Sequence, residues 1–386
     1  MEYLNDMKWF LHILILTMLL ASCREDEYIT YVTTEDTGAA PSPTSSITGM
    51  YLLNEGNMGS NKCTLDYLDL SRELSTVQYL RNIYADRNPS QVLELGDVGN
   101  DIQIYGSRLW MVINCSNKVE VCHASDATRI GQVDVPNCRY VVFDQGYAYV
   151  SSYAGPVKVD SHCPLGRVYK VDTLSLQKVD SVTVGYQPEE MAIVGQRLYV
   201  ANSGGYRLPD YDRRVSVIDL PSMTVVEEID VAPNLHRMAA DSYGQVWVSS
   251  RGNYRENPSS LAWIDTRTHQ VGHLDIPVSE MCLVGDSLYY LGVTFSYLTG
   301  QNQVSMGIVD VRTHQPLSTT LFDNPAIAQM QLPYGLIVNP YERDFYLMDA
   351  KNYVSSGELL HFLPDGTFHW RVRTGDIPSR ACFIKK

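Results

Sequence analysis

The chain has 386 residues, 45% of them hydrophobic, and carries 30 basic against 44 acidic side chains, for a formal net charge of −14. This length suffices for one large domain or two ordinary ones. The acidic balance and the lack of a basic stripe argue against nucleic acid as a partner.

The N-terminal segment predicts a lipoprotein signal peptide over residues 1–22. Trp9 to Ala21 is an apolar run preceded by Lys8, and it is too short to span a bilayer comfortably. The sequence LASC at residues 20–23 resembles a bacterial lipobox, in which the cysteine is acylated and becomes the mature N-terminus. Several acyl chains on one residue give stable anchoring. Cys23 is therefore predicted as a lipid anchor, and the alternative is a plain signal peptide that happens to precede a cysteine.

Residues 23–48 predict a flexible tether. The charged run REDE directly follows Cys23 and resembles the surface-export signal of Bacteroidota lipoproteins, although a merely soluble tether is the alternative. The stretch GAAPSPTSS further along cannot form a core and is typical of a flexible stalk. We expect a lipoprotein of the outer membrane that is exposed at the cell surface and touches the membrane only through its lipid.

Residues 49–386 contain an internal repeat. The unit is an alternating apolar strand, a loop, a second strand, a tight turn and a third strand, as in RLYVANSGG (197–205) with RRVSVIDLPS (213–222). Seven copies follow one another, and a further short strand such as GYQPEEMAIVGQ (185–196) lies between copies. Alternation with a period of two dominates, and four strands in roughly 40–57 residues are typical of propeller blades.

The two ends of this region are complementary. The chain stops with GDIPSRACFIKK, which has the form of an inter-copy first strand, whereas the first copy begins without one. The C-terminal strand is predicted to complete the first blade as its innermost strand, which removes open sheet edges. We therefore predict an all-β, seven-bladed β-propeller with four-stranded blades. A pair of β-sandwiches explains neither the seven copies nor the ends.

Seven cysteines remain besides Cys23, so at least one is unpaired or forms an intermolecular bond. None shows the C-x-x-C spacing of a zinc or redox site. Cys282 and Cys382 fall at matching points of the repeat and are predicted as small apolar core residues. Cys163 lies in a loop, and the sequence does not fix any pairing.

The loops between the second and third strands vary most in length, and they open on the same face as the links between blades. Long loops on a rigid scaffold are the usual place for a ligand. Tyrosine offers an apolar face and a hydroxyl, and amide and guanidinium groups add donors, which suits a large amphipathic molecule or a sugar. The alternative is that the tyrosines simply cap the blades. The predicted ligand-binding residues are Asn57, Asn117, Arg139, Tyr153, Tyr206, Tyr211, Arg251, Tyr254, Phe295, Tyr297 and Tyr353.

Catalytic patterns are weak. The nine histidines are scattered, and no H-E-x-x-H, G-x-S-x-G, P-loop or dinucleotide motif occurs. Adjacent carboxylates on a regular strand point to opposite faces, so Glu189 and Glu190 make a poor acid-base dyad. His269 and His314 occupy matching turns away from the long loops. We predict a protein that is not an enzyme, with no catalytic residues, no catalytic cofactor and no indicated metal or calcium site.

The motifs LLNEGNMGSNKCTLDYLD, LGDVGNDIQIYG, VPNCRYVVF and LYVANSGGYRLPDYD resemble those of the YncE-like, DUF5074-type propeller lipoproteins of Bacteroidota. The resemblance runs from about Met50 to the end and is densest before Tyr254. The motif NEGN is shared across the broader group and is weak evidence. The motifs DVGNDIQIYG, PNCRY and NSGGYRLPDYD, which occur in that order, are more specific evidence for the resemblance. The nearest likeness is to the BtuG branch, which captures vitamin B12.

This resemblance implies a surface protein that binds cobalamin or a related corrinoid as its ligand. It also implies that the protein passes the corrinoid to a TonB-dependent outer-membrane transporter of the BtuB type and sits over that transporter as a lid. Three alternatives remain open from the residues themselves. These are capture of a glycan or siderophore, a metal-dependent lyase or lactonase, and a scaffold that docks on a transporter.

Overall fold

The computed structural model describes residues 31–42, 45–296 and 301–385, apart from the side chains at 295, 296 and 301. The predicted signal peptide and the lipid-anchor residue Cys23 lie outside the described residues. The described chain forms seven antiparallel sheets, so the predicted seven-bladed β-propeller is confirmed.

The strands follow the chain from blade to blade. Blade 1 contains β1 (Thr33–Asp36), β2 (Ile47–Asn54), β3 (Thr64–Asp69), β4 (Gln78–Arg81) and β29 (Pro378–Lys385). Blade 2 contains β5 (Gly99–Tyr105), β6 (Arg108–Ile113), β7 (Lys118–His123) and β8 (Arg129–Asp134), and blade 3 contains β9 (Cys138–Asp144), β10 (Tyr147–Ser152), β11 (Arg167–Asp172) and β12 (Lys178–Thr183). Blade 4 contains β13 (Pro188–Val194), β14 (Arg197–Asn202), β15 (Arg214–Asp219) and β16 (Thr224–Asp230).

The remaining blades repeat this order. Blade 5 contains β17 (Leu235–Ala240), β18 (Gln245–Ser250), β19 (Ser260–Asp265) and β20 (Val271–Leu274); blade 6 contains β21 (Glu280–Val284), β22 (Ser287–Ser296), β23 (Gln301–Asp310) and β24 (Gln315–Ser318); blade 7 contains β25 (Pro333–Val338), β26 (Phe345–Asp349), β27 (Ser356–Phe362) and β28 (Phe368–Asp376). Two short helices lie in the links between blades, α1 (Ile83–Arg87) and α2 (Pro325–Ala328). Among the residues described, no helix has the length and apolarity needed to cross a membrane.

The ring closes through the C-terminal strand. β29 pairs antiparallel with β2, with Tyr51 opposite Cys382 and Leu53 opposite Arg380, and it forms the inner edge of blade 1. The innermost strands contact one another in the order β29, β5, β9, β13, β17, β21, β25 and back to β29. The predicted closure is therefore confirmed, and the first and last strands of the described propeller lie in one sheet.

Blade 1 has a fifth strand that was not predicted from the sequence. β1 pairs antiparallel with β4, from Thr33 opposite Arg81 to Asp36 opposite Gln78. The hydroxyl of Thr76 donates to the Asp36 carboxylate at 2.8 Å. The tether predicted over residues 23–48 is therefore wrong for this stretch and for the start of β2. The TTED sequence has no apolar side chains, and it is held by the unpaired backbone groups of the sheet edge, which no apolar pattern reveals.

The hydrophobic core lies between the blades and not within any one of them. Trp110 and Val112 of blade 2 are fully buried against Val141 and Val150 of blade 3. A cluster of this kind fills the gap between each pair of neighbours around the ring. Alternating strands produce this arrangement because each blade presents apolar side chains on both faces to its neighbours.

The seven cysteines of the described chain are all free thiols. Cys282 and Cys382 pack against the interblade clusters, as the repeat predicted. Burial raises the pKa of Cys282 to about 11, so this thiol stays protonated and unreactive at neutral pH.

Candidate binding site on the loop face

The loop face is the side of the ring on which the loops between the second and third strands of the blades lie. In the described chain these loops cover residues 55–63, 114–117, 153–166, 203–213, 251–259 and 350–355. The links between blades open on the same side, so the inner strands begin there. Side chains from the first residues of the inner strands therefore meet the loops at the axis.

β-Bulges re-aim the first residues of most inner strands. Register shifts with one extra residue occur in β5, β9, β13, β17, β25 and β29, close to their starts. In β13 both Glu189 and Glu190 lie between Pro188 and Met191, opposite a single residue of β14. A bulge breaks strict alternation, so both carboxylates point toward the ring axis. There they meet charged and polar side chains from the starts of the inner strands and the adjoining loops, which we call the axial cluster. The prediction that they point to opposite faces holds for a regular strand and is wrong for β13.

Glu189 is the centre of the first half of this cluster. It is 1% exposed, and its Oε2 accepts from Nε and Nη2 of Arg139 at 3.2 and 3.1 Å. Its Oε1 accepts from the hydroxyl of Tyr153 at 2.6 Å and from Nη1 of Arg251 at 3.4 Å. Burial opposes ionisation, but Arg139 and Arg251 outweigh it and lower the pKa of Glu189. Three predicted ligand residues are therefore engaged by one buried carboxylate.

Glu190 and Glu280 form the second half. Arg237 Nη1 lies 3.0 Å from Oε1 of Glu190, and its Nη2 lies 3.0 Å from Oε2 of Glu280. Arg380, on the closing strand, pairs with Glu190 and lies 3.1 Å from Oε1 of Glu280. Burial raises the pKa of Glu280 to about 7, against the opposing effect of Arg237. Blades 1, 4, 5 and 6 are thus joined across the axis by ion pairs.

Tyr140 connects the two halves. The guanidinium carbons of Arg139, Arg237 and Arg380 lie 5.8, 5.5 and 5.7 Å from the centre of its ring. Its hydroxyl lies 2.8 Å from Nη1 of Arg237 and 3.2 Å from Nε2 of His236. Burial, aided by the neighbouring arginines, lowers the pKa of His236 well below its ordinary value, so the imidazole is neutral. Positive charge is therefore carried by arginine alone.

Blades 7 and 2 contribute a tyrosine and an aspartate near the axis. The hydroxyl of Tyr334, at the bulge of β25, donates to Glu55 at 3.0 Å. Asp101 of β5 accepts from the backbone N–H of Val141 at 3.0 Å. Burial raises the pKa of both carboxyls. All seven blades therefore contribute side chains to the axial cluster near the loop face.

The predicted tyrosines lie around this cluster in edge-to-face pairs. Tyr153 and Tyr206 have ring centres 6.3 Å apart, and Tyr211 and Tyr254 are 6.4 Å apart. Tyr353 packs on Tyr334 at 5.7 Å. One pair spans blades 3 and 4, one spans blades 4 and 5, and the third lies in blade 7. Together they give the loop face aromatic surfaces around the axis.

Exposure separates these tyrosines. Tyr153 is 3% exposed, whereas Tyr254 and Tyr353 are 63% and 44% exposed. Tyr254 and Tyr353 also have φ angles of +58° and +63°, the left-handed region that bulky side chains rarely adopt. Strained backbone at an exposed aromatic residue on a loop suggests a functional constraint. These two residues therefore offer the most accessible aromatic surface of the predicted set.

The other predicted residues differ in their roles. Asn117 is exposed with φ +55°, and its Oδ1 accepts from the backbone N–H of Asn137 at 2.7 Å, so its side chain supports a turn. Asn57 is half-buried in the first loop. Phe295 belongs to β22 by its backbone, but its side chain lies outside the described residues, as does the whole of Tyr297.

The turn histidines join neighbouring blades on the opposite face. His314 stacks on Trp263 with ring centres 3.9 Å apart, and its Nε2 lies 2.7 Å from Oε1 of Gln245. His269 lies 2.6 Å from Glu227. Both bridge to the preceding blade, away from the axial cluster.

Several axial residues were not predicted from the sequence, including Tyr140, His236, Glu280 and Glu55. The sequence contains a pattern that marks most of these residues. The inner strands begin with polar pairs before their apolar residues, as in RYVVF, EEMAI and HRMAA. Aligning the strand starts across the repeat identifies these positions. It does not identify the partners, because the ion pairs cross the ring.

Within residues 31–42, 45–296 and 301–385, no group of three or more His, Cys, Asp and Glu side chains is arranged to hold a metal ion. Among the axial carboxylates, Glu189, Glu190 and Glu280 pair with arginines. The arrangement is suited to rigid positioning of the loops and to presentation of aromatic and guanidinium groups around the axis.

Comparisons of structure find the same fold in proteins of low sequence identity. Hydrazine synthase of Kuenenia stuttgartiensis is 16% identical with a TM-score of 0.58, covering 75% of this chain and 95% of that one. A quinonprotein alcohol dehydrogenase-like protein of Bacteroides thetaiotaomicron is 12% identical with a TM-score of 0.60, covering 89% and 79%. A putative 6-phosphogluconolactonase of Bacteroides fragilis is 10% identical with a TM-score of 0.60, covering 89% and 100%. At such identities the likeness shows the fold alone.

The comparison with curated proteins found no match. The family model for the domain of unknown function DUF5074 matches residues 48–357, most of the chain and nearly all of the propeller. The chain therefore belongs to the DUF5074 family.

Proposed function

We propose that this protein is a cell-surface lipoprotein that captures cobalamin or a related corrinoid on its loop face. The observation that carries the proposal is the set of three tyrosine pairs around the axis, in which Tyr254 and Tyr353 are exposed and have left-handed backbone. Aromatic faces with hydroxyl groups bind large amphipathic ligands at low cost in side-chain entropy.

The chemistry of a corrinoid matches such a surface. A corrin has a broad apolar macrocycle edge that tyrosine rings can cover and peripheral amides that need hydrogen-bonding partners. Arg251, with 32% of its side chain exposed, lies in the same loop as Tyr254 and supplies a guanidinium donor next to an aromatic face. Convergent polar groups among aromatic ones fix the orientation of a ligand.

The second part of the proposal is transfer. We propose that the captured corrinoid passes to a TonB-dependent outer-membrane transporter of the BtuB type and that the protein is anchored beside it through lipidated Cys23. The lipobox-like LASC and the resemblance to the BtuG branch support this part. Membership of the DUF5074 family supports a binding or scaffold role in general.

One observation would support an enzymatic role. Burial raises the pKa of Glu280 to about 7, and catalytic acids and bases often have such values. Glu280 is 1% exposed, and its two oxygens face Arg380 and Arg237 at 3.1 and 3.0 Å. A general acid or base must reach its substrate. The burial of Glu280 therefore favours a structural role for this carboxyl and a binding role for the protein.

Calorimetric titration of cyanocobalamin into the chain from Arg24 to Lys386 tests the proposal. This range retains β1, which is part of blade 1. We expect one-to-one binding with a dissociation constant below about 1 μM, or roughly −8 kcal/mol. Absence of binding at micromolar protein would reject corrinoid capture, and glycans, siderophores and the transporter itself would be titrated next.

A paired substitution locates the site. Tyr206→Ala combined with Tyr254→Ala removes one ring from each of two pairs, and we expect at least tenfold weaker binding of cyanocobalamin. Tyr341→Ala is the matched control, since Tyr341 is 52% exposed in the turn between β25 and β26 on the opposite face. Unchanged affinity in a folded double variant would remove these loops from the site.

A further inference from the structure

Two histidines meet on blade 7, far from the axial cluster. Nδ1 of His361 lies 3.1 Å from Nδ1 of His369. His361 belongs to β27 and His369 to β28, the two strands of the last hairpin. His361 lies next to Asp344, which belongs to the turn between β25 and β26. That turn is on the face opposite the loop face, so the histidine pair lies there too. The pair has no part in the proposed corrinoid site.

A β-bulge brings the two rings to one side of the sheet. His361 is opposite Trp370, whereas Phe362 is opposite Phe368, so His369 is the extra residue. In a regular ladder, His369 and Trp370 would point to opposite faces. At the bulge, His361 contacts both, with ring centres 5.2 Å from His369 and 4.8 Å from Trp370. Bulges commonly re-aim a side chain at functional positions.

The hairpin turn fixes this register. The backbone N–H of Leu363 donates to the carbonyl of Thr367 at 2.9 Å, and that of Gly366 donates to Leu363 at 2.9 Å. Gly366 has φ +83°, a conformation that favours glycine. The spacing of the two histidines is therefore set by local chain geometry.

His361 is held in a single orientation. It is 5% exposed, and its ring packs between Tyr346 and Trp370 with centres 4.6 and 4.8 Å away. Its Nε2 lies 3.2 Å from Oδ2 of Asp344. The two atoms are close but not in hydrogen-bond geometry, so it is the negative charge of Asp344 that favours the proton on Nε2 and leaves the lone pair of Nδ1 directed at His369. A carboxylate close to the other ring nitrogen is a common neighbour of a metal-binding histidine.

The distance between the two nitrogens fits two ligands of one metal ion. With metal–nitrogen bonds of about 2.0–2.1 Å, two ligand nitrogens are about 2.9 Å apart at a right angle and about 3.4 Å apart at the tetrahedral angle. The observed separation of 3.1 Å lies between these values. His369 is exposed, so water can complete the coordination sphere from its side.

We propose that Nδ1 of His361 and Nδ1 of His369 bind one divalent transition metal ion of the zinc, copper or nickel class, with Asp344 orienting His361. Imidazole nitrogen suits these metals. Binding requires only that the proton of His369 move from Nδ1 to its exposed Nε2.

The test is calorimetric titration of Zn²⁺ into the propeller and its His369→Gln variant. His369 is exposed, so the variant is expected to fold. We expect one equivalent of Zn²⁺ to bind the unsubstituted protein at least tenfold more tightly than the variant. His273→Gln removes another exposed strand histidine, on blade 5, and is expected to bind Zn²⁺ like the unsubstituted protein.

Asp344→Asn tests the supporting carboxylate. Loss of a group that supports a metal-binding histidine lowers metal affinity by about 10–100-fold. We therefore expect Asp344→Asn to bind Zn²⁺ more weakly than the unsubstituted protein. Electron paramagnetic resonance of bound Cu²⁺ gives a second readout, with hyperfine splitting from two imidazole nitrogens expected in the unsubstituted protein and from one in His369→Gln. Equal Zn²⁺ affinity of the unsubstituted protein and His369→Gln, or no Zn²⁺ binding at all, would overturn the proposal.

Discussion

The axial cluster and the exposed rim of the loop face use similar residues for opposite purposes. Arg139 and Tyr153 were predicted as ligand contacts, and both are engaged by the buried carboxylate of Glu189. Tyr254 and Tyr353 come from the same kind of loop and are exposed. Residues of the same type in the same kind of loop therefore differ in how much of their surface is available to a ligand. What separates them is how much of each side chain stays exposed beside its protein partners.

The physical basis is the cost of burying charge. A guanidinium or carboxylate removed from water must be paired, and loss of one partner leaves the other uncompensated. An exposed tyrosine has no such requirement, so its removal changes the contacts available to a ligand and little else. We therefore expect the axial cluster to control stability and the rim to control binding.

The strongest test of this division is Glu189→Ala. The substitution leaves Arg139 and Arg251 without their shared carboxylate in a buried site, and it is expected to lower the free energy of unfolding by about 3–5 kcal/mol. Urea denaturation measures the change. The matched control is Glu256→Ala, which removes an exposed carboxylate from a loop and is expected to change the free energy of unfolding far less. Equal costs for both variants would contradict a structural axial cluster.

A smaller loss of stability is expected from Tyr153→Phe. The ring is retained, but the hydroxyl that donates to Glu189 at 2.6 Å is lost. An unmade hydrogen bond to a buried charged acceptor costs about 1–3 kcal/mol, measured as before by urea denaturation. Tyr254→Phe, at the exposed rim, is the control. If the two phenylalanine variants were equally stable, Tyr153 would belong functionally with the rim.

The pH dependence of stability tests the other half of the cluster. The folded pKa of Glu280 is raised from 4.5 to about 7, in a site that also contains Arg237, Arg380, Asp101 and Glu55. Between these two values the folded state binds a proton that the unfolded state releases. The free energy of unfolding therefore falls as pH rises from 4.5 to 7.

The Glu280→Gln variant removes this titration. Unfolding in urea at a series of pH values from about 5 to about 8 is expected to show a flatter dependence in the variant than in the unsubstituted protein. Asp101 and Glu55 remain in both proteins and interact with Glu280, so the difference between the two curves reports the titration of Glu280 together with its effect on these two carboxyls. Parallel curves would mean that Glu280 is ionised throughout this range.

The smallest expected effect on stability is that of Tyr254→Ala. The side chain is 63% exposed, so the free energy of unfolding is expected to change by at most about 0.5 kcal/mol. If the proposed function holds, the affinity for cyanocobalamin falls at least tenfold, or about 1.4 kcal/mol. Loss of stability without loss of affinity would reverse the roles assigned to the rim and the axis.

Much of the fold was predictable because its signals are local. Alternation such as that in RLYVANSGG specifies a strand, its seven copies specify the number of blades, and the unpaired strand near Arg380 specifies the closure. β1 was not predictable in this way, since Thr33 to Asp36 carry no apolar pattern and are held by the backbone of β4. A polar edge strand leaves no periodic trace in the sequence.

The site was predictable only in part. Loop length placed Arg139, Arg251 and the tyrosines on one face, as the structure shows. The sequence could not show that Glu190 would meet Arg380, because these residues are 190 positions apart and lie across the ring. The bulge at Glu189 also escaped prediction, because it depends on pairing with β14.

The sequence by itself thus determined the repeat, the strand pattern, the number of blades and the face on which the long loops open. These follow from side-chain periodicity, which is a property of neighbouring residues. Only the tertiary structure decided which polar residues are buried and which are exposed. That distinction depends on which blades meet at the axis, where a charge is stable only if another strand delivers its partner.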